Sequence, residues 1–172
     1  MPVWGEVLII FLLFIANGIF AMSEAALISS RKARLQQRAD EGNRGAAAAL
    51  AVARAPDRFL STVQIGITLI GIVSGAFGGA ALSDEVAGLI RRVPALANSA
   101  GVLAFVLVVG LITYFSLVIG ELVPKTLALR NPEGIAIAVV RPMNALTKIT
   151  GPLVALLTVS TKAILRLLGR SQ

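Results

Sequence analysis

Three uncharged, largely apolar stretches decide what this chain can fold into: residues 7–23, with an apolar continuation at 25–30, residues 59–83, and residues 99–120. A helix of about 20 apolar residues crosses the roughly 30 Å hydrocarbon layer of a bilayer. In that layer every backbone N–H and C=O must be satisfied within the protein, which a helix does by itself. The expectation is therefore an all-α membrane protein with three transmembrane helices, at about residues 3–28, 59–83 and 99–122. The composition agrees, with 56% hydrophobic residues and only 15% charged ones gathered into a few segments.

The first apolar run is not read as a cleaved leader. A leader begins with a basic segment, and the only charge ahead of this run is Glu6. Cysteine and histidine are both absent. That excludes a disulfide framework and removes the usual zinc and copper ligands. It also leaves no nucleophile–base pair to assemble, and no nucleotide loop is present, so the chain is not expected to be an enzyme.

The net charge of +7 invites a nucleic-acid reading, which its distribution excludes. Arg31, Lys32, Arg34, Arg38, Arg44, Arg54 and Arg58 separate the first two spans, against Asp40, Glu41 and Asp57. Between the second and third spans Asp84 and Glu85 balance Arg91 and Arg92, and Lys125, Arg130, Arg141, Lys148, Lys162, Arg166 and Arg170 follow the third. Basic residues accumulate on the cytoplasmic side of membrane proteins. The expected topology is multi-pass in the cell membrane, a bacterial inner membrane, with the N-terminus outside and the C-terminus cytoplasmic.

Residues 30–57 are expected to form a cytoplasmic juxtamembrane helical hairpin. Residues 31–40 and 46–55 hold good helix formers, "EGNRG" at 41–45 supplies the turn, and Pro56 ends the second arm. Its bases face lipid headgroups, or the segment is a plain solvated connector. In the second span Gly71, Gly75 and Gly79 recur every four residues beside Gly78, a pattern that lets another helix approach, within the chain or across a dimer axis. Residues 133–169 read as amphipathic helices at the membrane surface, broken at Gly151-Pro152. Arg141, Lys148, Lys162 and Arg166 are spaced to share one face, which suits a belt lying on the interface better than a fourth span.

Ionisable groups inside a span carry a cost of roughly 3 kcal/mol by insertion scales, so each marks a candidate site. Glu24 and Glu121 are two such groups. Taken singly, Glu24 pairs with Arg31 or Lys32, and Glu121 snorkels to the interface. Asn17 and Ser23 accompany Glu24, however, and Ser61, Thr62, Gln64 and Thr68 open the second span at a similar depth. Oxygen donors without nitrogen or sulfur suit a hard cation such as Mg²⁺, Ca²⁺ or Na⁺. In "GELVPK" at 120–125, Pro124 has no N–H to offer the carbonyl four residues earlier, which belongs to Gly120. Freed carbonyls at membrane depth line cavities and coordinate cations in broken transporter helices.

Three stretches, "ANGIFAMSEAAL" at 16–27, "DRFLSTVQIGITLIGI" at 57–72 and "GELVPKTLA" at 120–128, resemble the transmembrane domain of the CorC/cyclin M family of magnesium transporters. The resemblance covers nearly the whole chain and treats residues 1–172 as one domain. It implies a three-helix unit that forms a homodimer among membrane lipids, a cytoplasmic hairpin, a belt-like C-terminal helix, and export of Mg²⁺ driven by Na⁺. By motif position it points to Ser23, Glu24, Thr62, Gly120, Glu121 and Pro124, with Lys125 beside them and Thr68 supplying a hydroxyl. Lys125 neutralises Glu121 when no ion is held. The resemblance also implies ATP-binding CBS domains and a small CorC-type domain after Gln172. One departure stands out: many members carry asparagines where this chain has Ile67-Thr68, and Ile67 cannot bind an ion. Two other readings remain at this point. One is a membrane anchor or regulatory scaffold without transport. The other is a transporter of Na⁺, Co²⁺ or a polyamine, the last favoured by aromatic walls such as Tyr114 and Phe115.

Overall fold

The computed structural model describes residues 3–167. It is helical throughout, with α1 (Val3–Ser29), α2 (Lys32–Asp40), α3 (Arg44–Arg54), α4 (Asp57–Ile90), α5 (Ala100–Leu117), α6 (Val123–Arg130), α7 (Pro132–Ile149) and α8 (Gly151–Leu167). Three helical stretches are long and apolar enough to cross a membrane: Val3–Ser29, Asp57–Ile90 and Pro94–Arg130. The all-α membrane architecture is thus as expected from the apolar runs.

The third stretch is longer than expected. It opens with a 3₁₀ segment (Pro94–Ser99), continues as α5, widens into a π turn (Val118–Leu122) and leaves as α6. Pro124 does not end this helix. Its ring would clash with the carbonyl four residues back and it has no N–H to give. Letting the Val123 N–H bond to the Val118 carbonyl, five residues back, absorbs both problems. The second stretch also overshoots its apolar run, carrying the exposed Asp84 and Glu85 on to Ile90.

The hairpin is docked, and more than a solvated connector. Gly42 adopts φ 90° in the turn, the left-handed conformation that glycine takes at helix ends. Asn43 caps α3 by accepting from the Ala46 N–H at 3.0 Å. Ala46, Ala49, Leu50 and Ala53 then share one buried face of α3. Ala49, Leu50 and Ala53 pack with Leu35, Phe59, Val63, Val140 and Met143 into the main core, which joins the hairpin and α7 to the ends of α1 and α4. A smaller cluster of Ile10, Phe14, Val108 and Ile112 holds the other half of the bundle.

The C-terminal break falls at Thr150, immediately before the expected Gly151-Pro152, which open α8; α7 and α8 meet at 68°. Taken together as one bent span, this pair would make a fourth crossing by length and composition. The bend corrects the single basic stripe: Arg141 and Lys148 lie on one axis, Lys162 and Arg166 on another. A glycine–proline step cannot carry a straight helix through. The end of the expected belt, residues 168–169, and Arg170 lie outside the described residues.

Glu133 opens α7 and is 4% exposed. Its Oε1 accepts the Arg31 N–H at 3.1 Å, and its Oε2 lies 3.9 Å from Arg34 Nη1. This ties the start of the hairpin to α7. Burial pushes the carboxyl up, but the Arg31 N–H and the Arg34 and Arg31 charges outweigh it and hold the group below the usual range. A lowered folded value contributes stability that is complete above the ordinary glutamate pKa of about 4.3 and lost as pH falls through the folded value. Glu133→Gln is expected to melt earlier than wild type near neutral pH, and the gap should close on acidification. Equal melting temperatures at neutral pH would show that this tie contributes nothing.

Candidate functional site

The site is built where α1 meets the π turn. α1 brings Asn17, Ser23 and Glu24 along one helix, with Asn17 and Glu24 seven residues apart and therefore on the same side. The π turn brings Gly120 and Glu121, and α6 brings Pro124 and Lys125 one turn later. Close approach depends on two glycines. A Cβ on Gly120 would stand 3.1 Å from Asn17 Nδ2 and 3.3 Å from the Phe14 carbonyl. One on Gly18 would stand 2.9 Å from Pro124 Cγ.

Lys125 is the centre of the charge arrangement. Its ammonium donates to Glu121 Oε1 at 2.8 Å and lies 3.8 Å from Glu24 Oε2. All three side chains are partly exposed, between 23% and 34%. Two carboxylates from different spans are thus held around one cation, which the protein itself supplies. Among the described residues no three of Asp, Glu, His and Cys come together. Any metal ion held here therefore has two charged ligands, and neutral oxygens complete its shell.

The Gly120 carbonyl is not bare. It accepts a hydrogen bond from Asn17 Nδ2 at 3.0 Å. The donor that Pro124 withholds is replaced by a side chain from another span. Asn17 is 4% exposed, and its Oδ1 has no partner. A buried oxygen without a partner forgoes about 1–3 kcal/mol. Sequence reasoning placed Asn17 near Glu24 without giving it a role. The seven-residue spacing was the signal that could have done so.

The hydroxyls are arranged differently from the expectation of a shared cluster. Ser23 is fully buried and donates to the Ile19 carbonyl of its own helix at 2.6 Å. Thr62 donates to the Arg58 carbonyl at 2.9 Å and lies 3.3 Å from the Thr150 hydroxyl, so it docks α4 on the end of α7. Thr68 is exposed on the outer surface of α4. The structure therefore brings together Glu24, Glu121 and Lys125, with Gly120 and Pro124 linked to α1 through Asn17 and Gly18.

On the other side of the Asn17–Gly120 contact lies a mainly apolar cleft of about 810 Å³ between α1, α4 and α5. Phe14 and Ile119 form its wall nearest the contact, Phe11 and Phe115 add aromatic surface, and Glu85 and Arg92 mark its α4 end.

A family described as the cyclin M transmembrane N-terminal domain matches residues 8–172, a stretch that holds all three spans, the hairpin and the acid–lysine cluster. The chain belongs to that family. It is 54% identical to the UPF0053 protein sll0260 of Synechocystis over 95% of this chain and 37% of that protein. It is 32% identical to a polyamine export protein of Haemophilus influenzae over 90% of this chain and 35% of that protein. Identity to the uncharacterised protein Rv1841c of Mycobacterium tuberculosis is 33%, over 98% of this chain and 48% of the relative. The cyclin M-type chain described here thus spans roughly a third to a half of the length of these relatives. The family is one of membrane domains, with a multi-pass arrangement that the three apolar helices reproduce.

Proposed function

We propose that this domain exports a divalent cation, Mg²⁺, from the cytoplasm, with Na⁺ as the coupling ion. The observation that carries the reading is the Lys125 ammonium held between Glu121 and Glu24, which come from two different apolar helical stretches. A pair of carboxylates that keeps an internal cation in place is suited to exchanging it for an external one. Hard cations take oxygen ligands, and Glu24, Glu121 and the Gly120 carbonyl offer oxygens where α1 packs on the π turn. Only two of them are charged, which favours a transported ion over a permanently stored one. The cyclin M membership supports the same reading.

The basic hairpin and C-terminal helices put the acid–lysine cluster toward the cytoplasm by the positive-inside rule. The N-terminus is then outside. The domain acts as a homodimer through α4: Ser61, Gln64, Thr68 and Gly71 are all exposed along one side of it. Amides and hydroxyls facing lipid lack partners, and small residues between them let a second copy of the helix approach. Thr68 then serves this face. Cytoplasmic domains of the CBS type are part of the same proposal, and the relatives' greater length leaves room for them.

A second reading has its own observation. Phe11, Phe14 and Phe115 line the cleft beyond the Asn17–Gly120 contact, and aromatic faces attract organic cations. With a relative named as a polyamine export protein, a polyamine is the alternative cargo. Efflux from proteoliposomes loaded with Mg²⁺ or with a polyamine, with and without an inward Na⁺ gradient, separates the two. The expected result is Mg²⁺ efflux that the gradient accelerates. Mg²⁺ efflux no faster than from protein-free vesicles, beside rapid polyamine efflux, would replace the first reading with the second.

A further inference from the structure

The Asn17 carboxamide has one half in use and the other idle. Its Nδ2 closes on the Gly120 carbonyl at 3.0 Å, while its Oδ1 is buried without a partner. Along α1 the order is Phe14, Asn17, Glu24; along the third span it is Ile119, Gly120, Glu121, Lys125. Phe14 and Ile119 belong to the apolar cleft, and Glu24, Glu121 and Lys125 to the acidic cluster. Along both helices the Asn17–Gly120 contact thus lies between residues of the cleft and residues of the acidic cluster.

We infer that Asn17 is a cation ligand at the π turn. With no cation at the π turn, its amide nitrogen caps the Gly120 carbonyl. When a cation displaces the Lys125 ammonium from Glu121, the carboxamide turns about its side-chain bonds. Its oxygen then faces the cation, and the Gly120 carbonyl is released toward the same ion. An amide oxygen is an ordinary ligand for a hard cation. The π turn supplies a carbonyl with no donor four residues on, as backbone breaks do in transporters. This inference rests on the reading of the acidic cluster as a Mg²⁺ site, and it adds a neutral oxygen ligand from the first span.

The test is Mg²⁺ titration of the purified full chain in detergent, read as the Mg²⁺-dependent rise in melting temperature, for wild type, Asn17→Leu and Asn17→Asp. Leucine matches the shape but has neither amide group, so the Mg²⁺ midpoint should rise at least about ten-fold. Aspartate keeps an oxygen and adds a charge while losing the donor to Gly120. Its Mg²⁺ midpoint should fall at least about three-fold, although its melting temperature without Mg²⁺ drops. An unchanged midpoint in Asn17→Leu overturns the ligand role, because a merely structural residue would lower the melting temperature and leave the midpoint alone. If Asn17→Leu does not fold, Asn17→Asp decides: a midpoint equal to or weaker than wild type overturns the inference. A wild-type chain that does not respond to Mg²⁺ overturns the underlying site reading as well, which separates the two failures.

Discussion

Glu121→Gln is expected to reduce Mg²⁺ export more than about ten-fold, a loss of at least about 1.4 kcal/mol in transition-state or binding free energy. Glutamine has nearly the same shape and still accepts from Lys125, so the fold should survive. What disappears is one of two charges around the ammonium, leaving Glu24 at 3.8 Å as its only carboxylate. A cation arriving at the π turn then meets half the charge. Efflux from Mg²⁺-loaded proteoliposomes measures the loss, and the melting temperature of the same preparation checks the fold. Export within two-fold of wild type would end the assignment of Glu121 and favour a domain that only anchors cytoplasmic partners. Glu133→Gln is the matched control, because Glu133 ties α7 to the hairpin and is no part of the acid–lysine cluster. It should lower stability and leave Mg²⁺ dependence alone.

Gly18→Val is expected to damage both stability and export. The added Cβ would stand 2.9 Å from Pro124 Cγ and 3.3 Å from the Ile119 carbonyl. Neither neighbour is the free end of a flexible side chain: one is a proline ring and the other backbone. Overpacking of this kind costs about 1–3 kcal/mol. Here it also pushes the π turn off α1, lengthening the Asn17–Gly120 bond that the close approach permits. Alanine at the same position should be milder, since its better helix propensity, about 1 kcal/mol over glycine, offsets part of the clash. Gly110→Ala makes the contrast, because nothing lies within 4 Å of a Cβ there. It should be neutral or slightly stabilising. A Gly18→Val chain that melts with wild type and exports normally would show that α1 and the π turn need not touch.

Much of this architecture was legible in the residues. Span number follows from local hydropathy, and the hairpin follows from good helix formers around a glycine turn. The break beside Gly151-Pro152 follows from the poor fit of adjacent glycine and proline to a helix interior. The acids and the GELVPK stretch were legible as unusual, because charge and proline are costly where a span should run.

What was not legible is how those residues are paired. Pro124 reads as a helix breaker, yet the helix continues, because a π turn was available and Gly18 gave the proline ring somewhere to pack. The Gly120 carbonyl reads as bare, yet Asn17 from a span more than a hundred residues away caps it. The second-span hydroxyls read as part of one cluster, yet Thr62 is engaged by Arg58 and Thr150. Each of these outcomes depends on which helix faces turn toward one another, a property of packing that no single segment contains.

The sequence by itself determined that this chain crosses a membrane, about where it does so, and which few polar residues are out of place there. These are matters of solvation and backbone chemistry, decided residue by residue. Only the tertiary structure decided that Lys125 sits between two carboxylates and that Asn17 closes the Gly120 carbonyl. Lys125–Glu121 is local to one helix, but Lys125–Glu24 and Asn17–Gly120 join separate spans, and only close packing of α1 against the π turn and α6 creates them.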